Sequence, residues 1–112
     1  MKKLEAIIQP HRLDEVHDRL REIGVTGMTL SEVRNFGGSG SHSETYHGVT
    51  YAVDFVPTVH LEIVVKDALV ADAVQTLMAA ARTGKIDDGE IFVTSIDETV
   101  RIRTGEQGDD AV

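Results

Sequence analysis

Residues 56–66, VPTVHLEIVVK, alternate without a break. Val59, Leu61, Ile63 and Val65 fall on one side of an extended chain, and His60, Glu62 and Val64 fall on the other. A helix would mix these two sets, so the stretch predicts a strand with one face buried in an aliphatic core. Residues 2–8, KKLEAII, repeat the device, setting Leu4, Ala6 and Ile8 against Lys3, Glu5 and Ile7. Two strands of this kind need a cover for their apolar side.

The cover is legible in two stretches of helical spacing. After Pro10, suited to the first turn of a helix, Leu13, Val16, Leu20 and Ile23 recur every three or four residues, and Gly24 supplies the stop. In ALVADAVQTLMAAAR, Asp67 is placed to cap the helix, Leu69, Val70, Val74, Leu77 and Met78 form the apolar stripe, and Gly84 ends it. Residues 25–34 read as a further strand, and residues 90–96 as another, followed by a polar tail from Asp97. Residues 35–55 are rich in Gly, Ser and Thr and lack periodicity, so they read as a long loop, and loops of that length in a compact domain are usually functional. The order is βαββαβ, which predicts an α+β, ferredoxin-like fold: a four-stranded antiparallel sheet with two helices on one face. Ile7, Val64 and Phe92 would point to the uncovered face, which predicts self-association through it.

Composition narrows the function. The chain has 112 residues, enough for one domain and too few for two. It has no cysteine, which excludes disulfides and thiolate metal sites, and no tryptophan, so its core must be aliphatic. A net charge of −8 argues against nucleic acid as a partner. No apolar run reaches the length of a membrane span and the start lacks a signal peptide's apolar segment, so no membrane insertion is expected and a cytoplasmic location is. No Ser–His–Asp set or paired acids in an evident cleft point to catalysis, so no catalytic residues and no enzyme activity are expected.

Three motifs, YHGVTYAVDFVP at 46–57, ARTGKIDDGEIFV at 81–93 and RIRTGEQGDDAV at 101–112, together resemble the PII signal-transduction proteins of nitrogen regulation, over the whole chain. The resemblance implies a single domain, 1–112, with a target-docking T-loop at about 36–55, a B-loop at about 82–90 and a C-loop at about 99–112. It implies a homotrimer binding an adenine nucleotide in clefts between subunits. It also implies control of a partner, such as a membrane transporter or metabolic enzyme, through the T-loop. Carried over residue by residue, it puts Ile7, Thr29, Gly37, Glu62, Val64, Asp88, Gly89, Arg101 and Arg103 at the nucleotide, and Tyr46, His47 and Tyr51 at the partner or modification surface. In an extended RIR segment, Arg101 and Arg103 would present both guanidiniums on one side, suited to phosphate.

Several positions depart from what the resemblance leads one to expect. Gly38 stands where an arginine and Glu90 where a lysine would hold phosphates, and Asp87 stands where a glycine would let the backbone approach. Ser39, Ser41 and Thr58 stand where a glutamine, a glycine and a lysine would serve magnesium and 2-oxoglutarate. Lys-to-Glu at 90 turns an attraction for phosphate into a repulsion. The expectation is therefore a PII-like regulator that binds ADP or AMP, or ATP weakly, with 2-oxoglutarate and magnesium not among its ligands. One alternative is an ordinary nitrogen-regulatory PII protein sensing ATP, ADP and 2-oxoglutarate, with Lys85 compensating for Glu90. Another is a metal-responsive adaptor using His42, His47 and His60. The histidine spacing is not that of a helical metal site, and no metal ligand is assigned.

Overall fold

The computed structural model describes residues 1–36, 42–46, 49–53, 55–85 and 88–112. Along the chain run β1 (Lys2–Ile8), a 3₁₀ turn at Pro10–Arg12, α1 (Leu13–Glu22), β2 (Thr29–Phe36), β3 (His42–Tyr46) and β4 (Val49–Val53). They are followed by β5 (Phe55–Val65), α2 (Asp67–Ala81), β6 (Ile91–Ser95) and a closing 3₁₀ turn at Gly108–Ala111. Four strands form one antiparallel sheet in the order β2-β5-β1-β6, and β3 pairs with β4 separately. This is the ferredoxin-like α+β arrangement, with a two-stranded ladder between its second and third sheet strands. Among the described residues, no helix is long and apolar enough to cross a membrane.

The alternation in β1 and β5 is realised in register. Leu4 lies opposite Ile63, Ala6 opposite Leu61 and Ile8 opposite Val59, and all six are buried. From the helices come Val16 and Leu20 of α1 and Ala73, Leu77 and Ala80 of α2. Full burial of a Val, Leu or Ile is worth roughly 1.5–3 kcal/mol, so this single layer between helices and sheet carries most of the stability. Arg12 fastens the helix pair by donating from Nε to the carbonyl of Ala80 at 2.8 Å.

Several boundaries differ from the sequence expectation, each for a local reason. The second strand begins at Thr29 rather than residue 25. Val25 donates its N–H to Leu20 O (3.0 Å) and Gly24 donates to Arg21 O (3.1 Å). With Gly24 at φ +100°, these two bonds form a Schellman stop that commits the chain to α1 for two more residues. Pro10 opens a 3₁₀ turn, and the α-helix starts at Leu13. Lys66, not Asp67, occupies the cap of α2; the Asp67 carboxylate instead receives the Met1 ammonium at 2.7 Å. The helix ends at Ala81, before Gly84. Met78 is exposed, while Ala73 and Ala80 are buried, because only a small side chain fits where the helix lies closest to its neighbours. Finally, residues 35–55 are not all loop, since they contain β3 and β4.

Candidate functional site

Seven of the nine residues expected at a nucleotide gather in two crevices that share no lining residue. The first, of 330 Å³, opens beside β2 and β5 and is lined by Thr29, Glu62, Val64 and Arg101, with Lys3 and Thr99 beside them. The register explains the grouping: Thr29 pairs with Glu62, and Val64 with Lys3, so all four point to the sheet face that no helix covers. The C-terminal residues Ala111 and Val112 close one side of this crevice. The implied C-loop spans them, but periodicity did not single them out, because a 3₁₀ turn of four residues leaves none.

Arg101 enters the crevice from a folded segment. The expected extended RIR is a turn instead: Gly105 N–H bonds to Arg101 O, and Arg101 N–H to Glu106 O, each at 2.8 Å. Ile102 at its apex is fully exposed. Arg101 and Arg103 therefore do not share one side of a strand; Arg101 lines the crevice and Arg103 does not. The Arg101 guanidinium is held by Glu106 at 3.1 Å, and the Thr104 hydroxyl donates to the same carboxylate oxygen at 2.8 Å. An anion entering the crevice would compete with Glu106 for Arg101.

The second crevice, of 190 Å³, lies at the other end of β1 and is lined by Ile7, Asp88, Gly89 and Glu90, with Arg82 and Met78. Its wall is the loop between α2 and β6, and two residues shape it. Asp88 accepts hydrogen bonds from the backbone N–H groups of Thr83 (3.0 Å) and Gly84 (3.0 Å) and a short one from the Thr83 hydroxyl. That hydroxyl bond is the main cause holding the Asp88 carboxyl below its ordinary range; burial opposes it, and the two backbone bonds and the charge of Arg82 reinforce it. Asp88 thus organises the loop, and its acceptor capacity is largely spent there. Gly84, at φ +82°, takes the tight bend.

Gly89 answers to a different constraint. A Cβ at this position would stand 1.9 Å from the carbonyl oxygen of Ile7, so only glycine lets the loop lie against β1. Next to it, Ile7 N–H bonds to Glu90 O at 3.0 Å, extending the β1–β6 ladder into the loop. The Glu90 side chain is exposed at the crevice rim.

The remaining expected positions fall elsewhere. Tyr46 lies on β3 opposite Val49, and Tyr51 on β4 opposite Glu44. Gly37, His47, Gly38, Ser39, Ser41 and Asp87 lie outside the described residues. Thr58 is buried, and among the described residues its hydroxyl has no hydrogen-bond partner.

A family model described as nitrogen regulatory protein P-II matches residues 1–106. Over all 112 residues the chain is 53% identical to the nitrogen regulatory protein P-II of Rhodospirillum rubrum and 52% identical to that of Azospirillum brasilense. It is 51% identical to nitrogen regulatory protein P-II 1 of Escherichia coli K12, and in all three comparisons the whole of each chain is covered. Agreement over the full length with both the family model and these relatives shows that the chain belongs to the nitrogen regulatory protein P-II family of signal-transduction regulators.

Proposed function

We propose that this chain works as a homotrimer that binds an adenine nucleotide between subunits and signals to a partner protein through residues 36–55, without catalysing a reaction. The observation that carries the reading is the division of the expected ligand residues. Thr29, Glu62, Val64 and Arg101 line one crevice, and Ile7, Asp88 and Gly89 line another. A ligand bound between two copies would meet one set from each, one copy offering each half. Apolar residues on the uncovered sheet face, including Phe92 at 52% exposure, give the copies a surface through which to meet.

The ligand terms follow from charge. Glu90 puts a carboxylate at the rim of the loop crevice, and the nearest basic lining residue there is Arg82. A monophosphate or diphosphate tolerates that rim better than a triphosphate, so ADP or AMP is the favoured ligand and ATP the weaker one. Thr58 brings no positive charge to its buried position, and neither 2-oxoglutarate nor magnesium belongs to the proposed ligand set. Nucleotide occupancy would set the state of residues 36–55, and those residues would address a transporter or metabolic enzyme.

Calorimetry with ATP, ADP and AMP, alongside molecular mass by light scattering, tests the reading. Binding of none of the three, or a monomeric mass, would overturn it. Glu90→Lys should bind ATP roughly tenfold or more tightly than the parent, converting a repulsion into an attraction. A second reading, an ordinary nitrogen-regulatory protein that senses ATP, ADP and 2-oxoglutarate, is favoured by the identity above 50% with named P-II proteins. Micromolar, ATP-dependent binding of 2-oxoglutarate would select it over the first.

A further inference from the structure

On the uncovered face of the sheet, three side chains that could ligate a metal converge from two adjacent strands. Glu5 of β1 is the register partner of Glu62 of β5, and His60 lies two residues from Glu62 on the same side. Their ligand atoms all lie within 4.8 Å of one another. His60 Nε2 is 3.6 Å from Glu5 Oε1 and 3.9 Å from Glu62 Oε1. Both separations are too long for a hydrogen bond. They are close to the edge of a zinc tetrahedron, about 3.4 Å for bonds of about 2.1 Å. Small side-chain rotations would bring all three atoms onto one ion, whereas a direct imidazole–carboxylate hydrogen bond satisfies only two of them.

We propose that Glu5, His60 and Glu62 form a binding site for a divalent transition metal, with zinc as the fitting ion, whose fourth position is left to water. One imidazole and two carboxylates are a donor set that zinc accepts readily, and the two negative charges balance the ion. In the single chain the groups are partly shielded, with side-chain exposures of 26% for Glu5 and His60 and 36% for Glu62, and they lie on the face proposed to pack between copies, so the ion would sit beside that interface and need no path through the core.

The register neighbours on the flanking strands are neutral, while Lys3 and, in the crevice that Glu62 lines, Arg101 carry positive charge. Phe92 of β6 stands opposite Glu5, Ser31 of β2 opposite His60 and Thr29 opposite Glu62. Lys3 is the competitor, with Nζ 3.5 Å from Glu5 Oε1. A metal would displace that ammonium toward water, which its flexible stem allows. All three ligands come from one chain, and because Glu62 also lines the first crevice, zinc and a nucleotide would meet at that residue.

The test is titration of zinc chloride into the full chain without nucleotide, followed by calorimetry and by native mass spectrometry. One ion per chain is expected. His60→Ala and the nearly isosteric Glu5→Gln should each weaken binding by roughly a hundredfold or more, since even residues that only support a metal's ligands are worth 10–100-fold. Circular dichroism melts confirm that these variants fold. The double variant His42→Ala/His47→Ala should bind like the parent. Lys3→Gln should bind severalfold tighter, an effect that a purely structural charge cluster would not produce. Failure of the parent to take up zinc overturns the proposal. Parent-like binding by both His60→Ala and Glu5→Gln does so too, as does a loss confined to the His42/His47 double variant.

Discussion

Leu61 and Glu62 are neighbours in the chain, yet they lie on opposite faces of the sheet. Leu61 is fully buried under the helices, and Glu62 sits half-exposed between His60 and the Thr29 crevice. The helix face depends on side-chain volume, since Leu4, Leu61, Ile63 and Leu77 fill it with almost nothing accessible. The open face and the loops at its ends depend on backbone placement and on charge. Stability should therefore be concentrated on one side of each strand and ligand binding on the other.

The largest effect is expected at Leu61 itself. Leu61→Ala should cost about 2–5 kcal/mol in urea unfolding, through lost burial and the cavity left behind. A cost under 1 kcal/mol would mean that the helix face is not where stability resides. Gly89→Ala is the next largest, at roughly 1–3 kcal/mol, because a methyl cannot share space with the Ile7 carbonyl. It tests whether a loop on the ligand side contributes through backbone proximity alone.

Asp88→Asn should act mainly through pH. The folded-state carboxyl is depressed, so the stabilisation from its charged form is complete above the ordinary carboxylate value and is lost as pH falls through the depressed one. The parent should thus lose stability more steeply than the variant below about pH 4. Parallel acid profiles would show that Asp88 is not the anchor of its loop. The smallest effect belongs to Glu62→Gln, within about 0.5 kcal/mol in stability, as for surface positions generally. Its zinc binding should nevertheless fall, so that one substitution separates the two faces by measurement.

Much of this division was readable in the sequence. The period-two pattern named every buried residue of β1 and all four of β5 from Val59 to Val65, because burial on one side imposes it. Gly24 was legible as a stop, because a positive φ demands such a residue. The apolar stripe of α2 was less so. Hydrophobicity favours Met78, but close packing takes Ala73 and Ala80, and a scale of apolarity does not register the space between elements. Strands β3 and β4 were missed because a two-stranded ladder forms through backbone hydrogen bonds that any polar sequence can make. At the candidate site, motif resemblance named Thr29, Glu62, Val64 and Arg101 in one crevice and Ile7, Asp88 and Gly89 in the other, a minority of the lining residues. It could not anticipate that Asp88 bonds to its own loop, or that the segment after Val100 turns back through Glu106 to hold Arg101.

The bond between Ile7 and residue 90 has a consequence for how such a protein can change over time. The contact uses the carbonyl of position 90, and the tight approach beside it uses the missing side chain of position 89. Position 90 can therefore exchange a cation for an anion while the loop keeps its seat on β1, whereas position 89 has no such freedom. Ligand preference and architecture are inherited at adjacent residues but separately, so a lineage could retune what its members sense by single substitutions without first surviving a weakened fold.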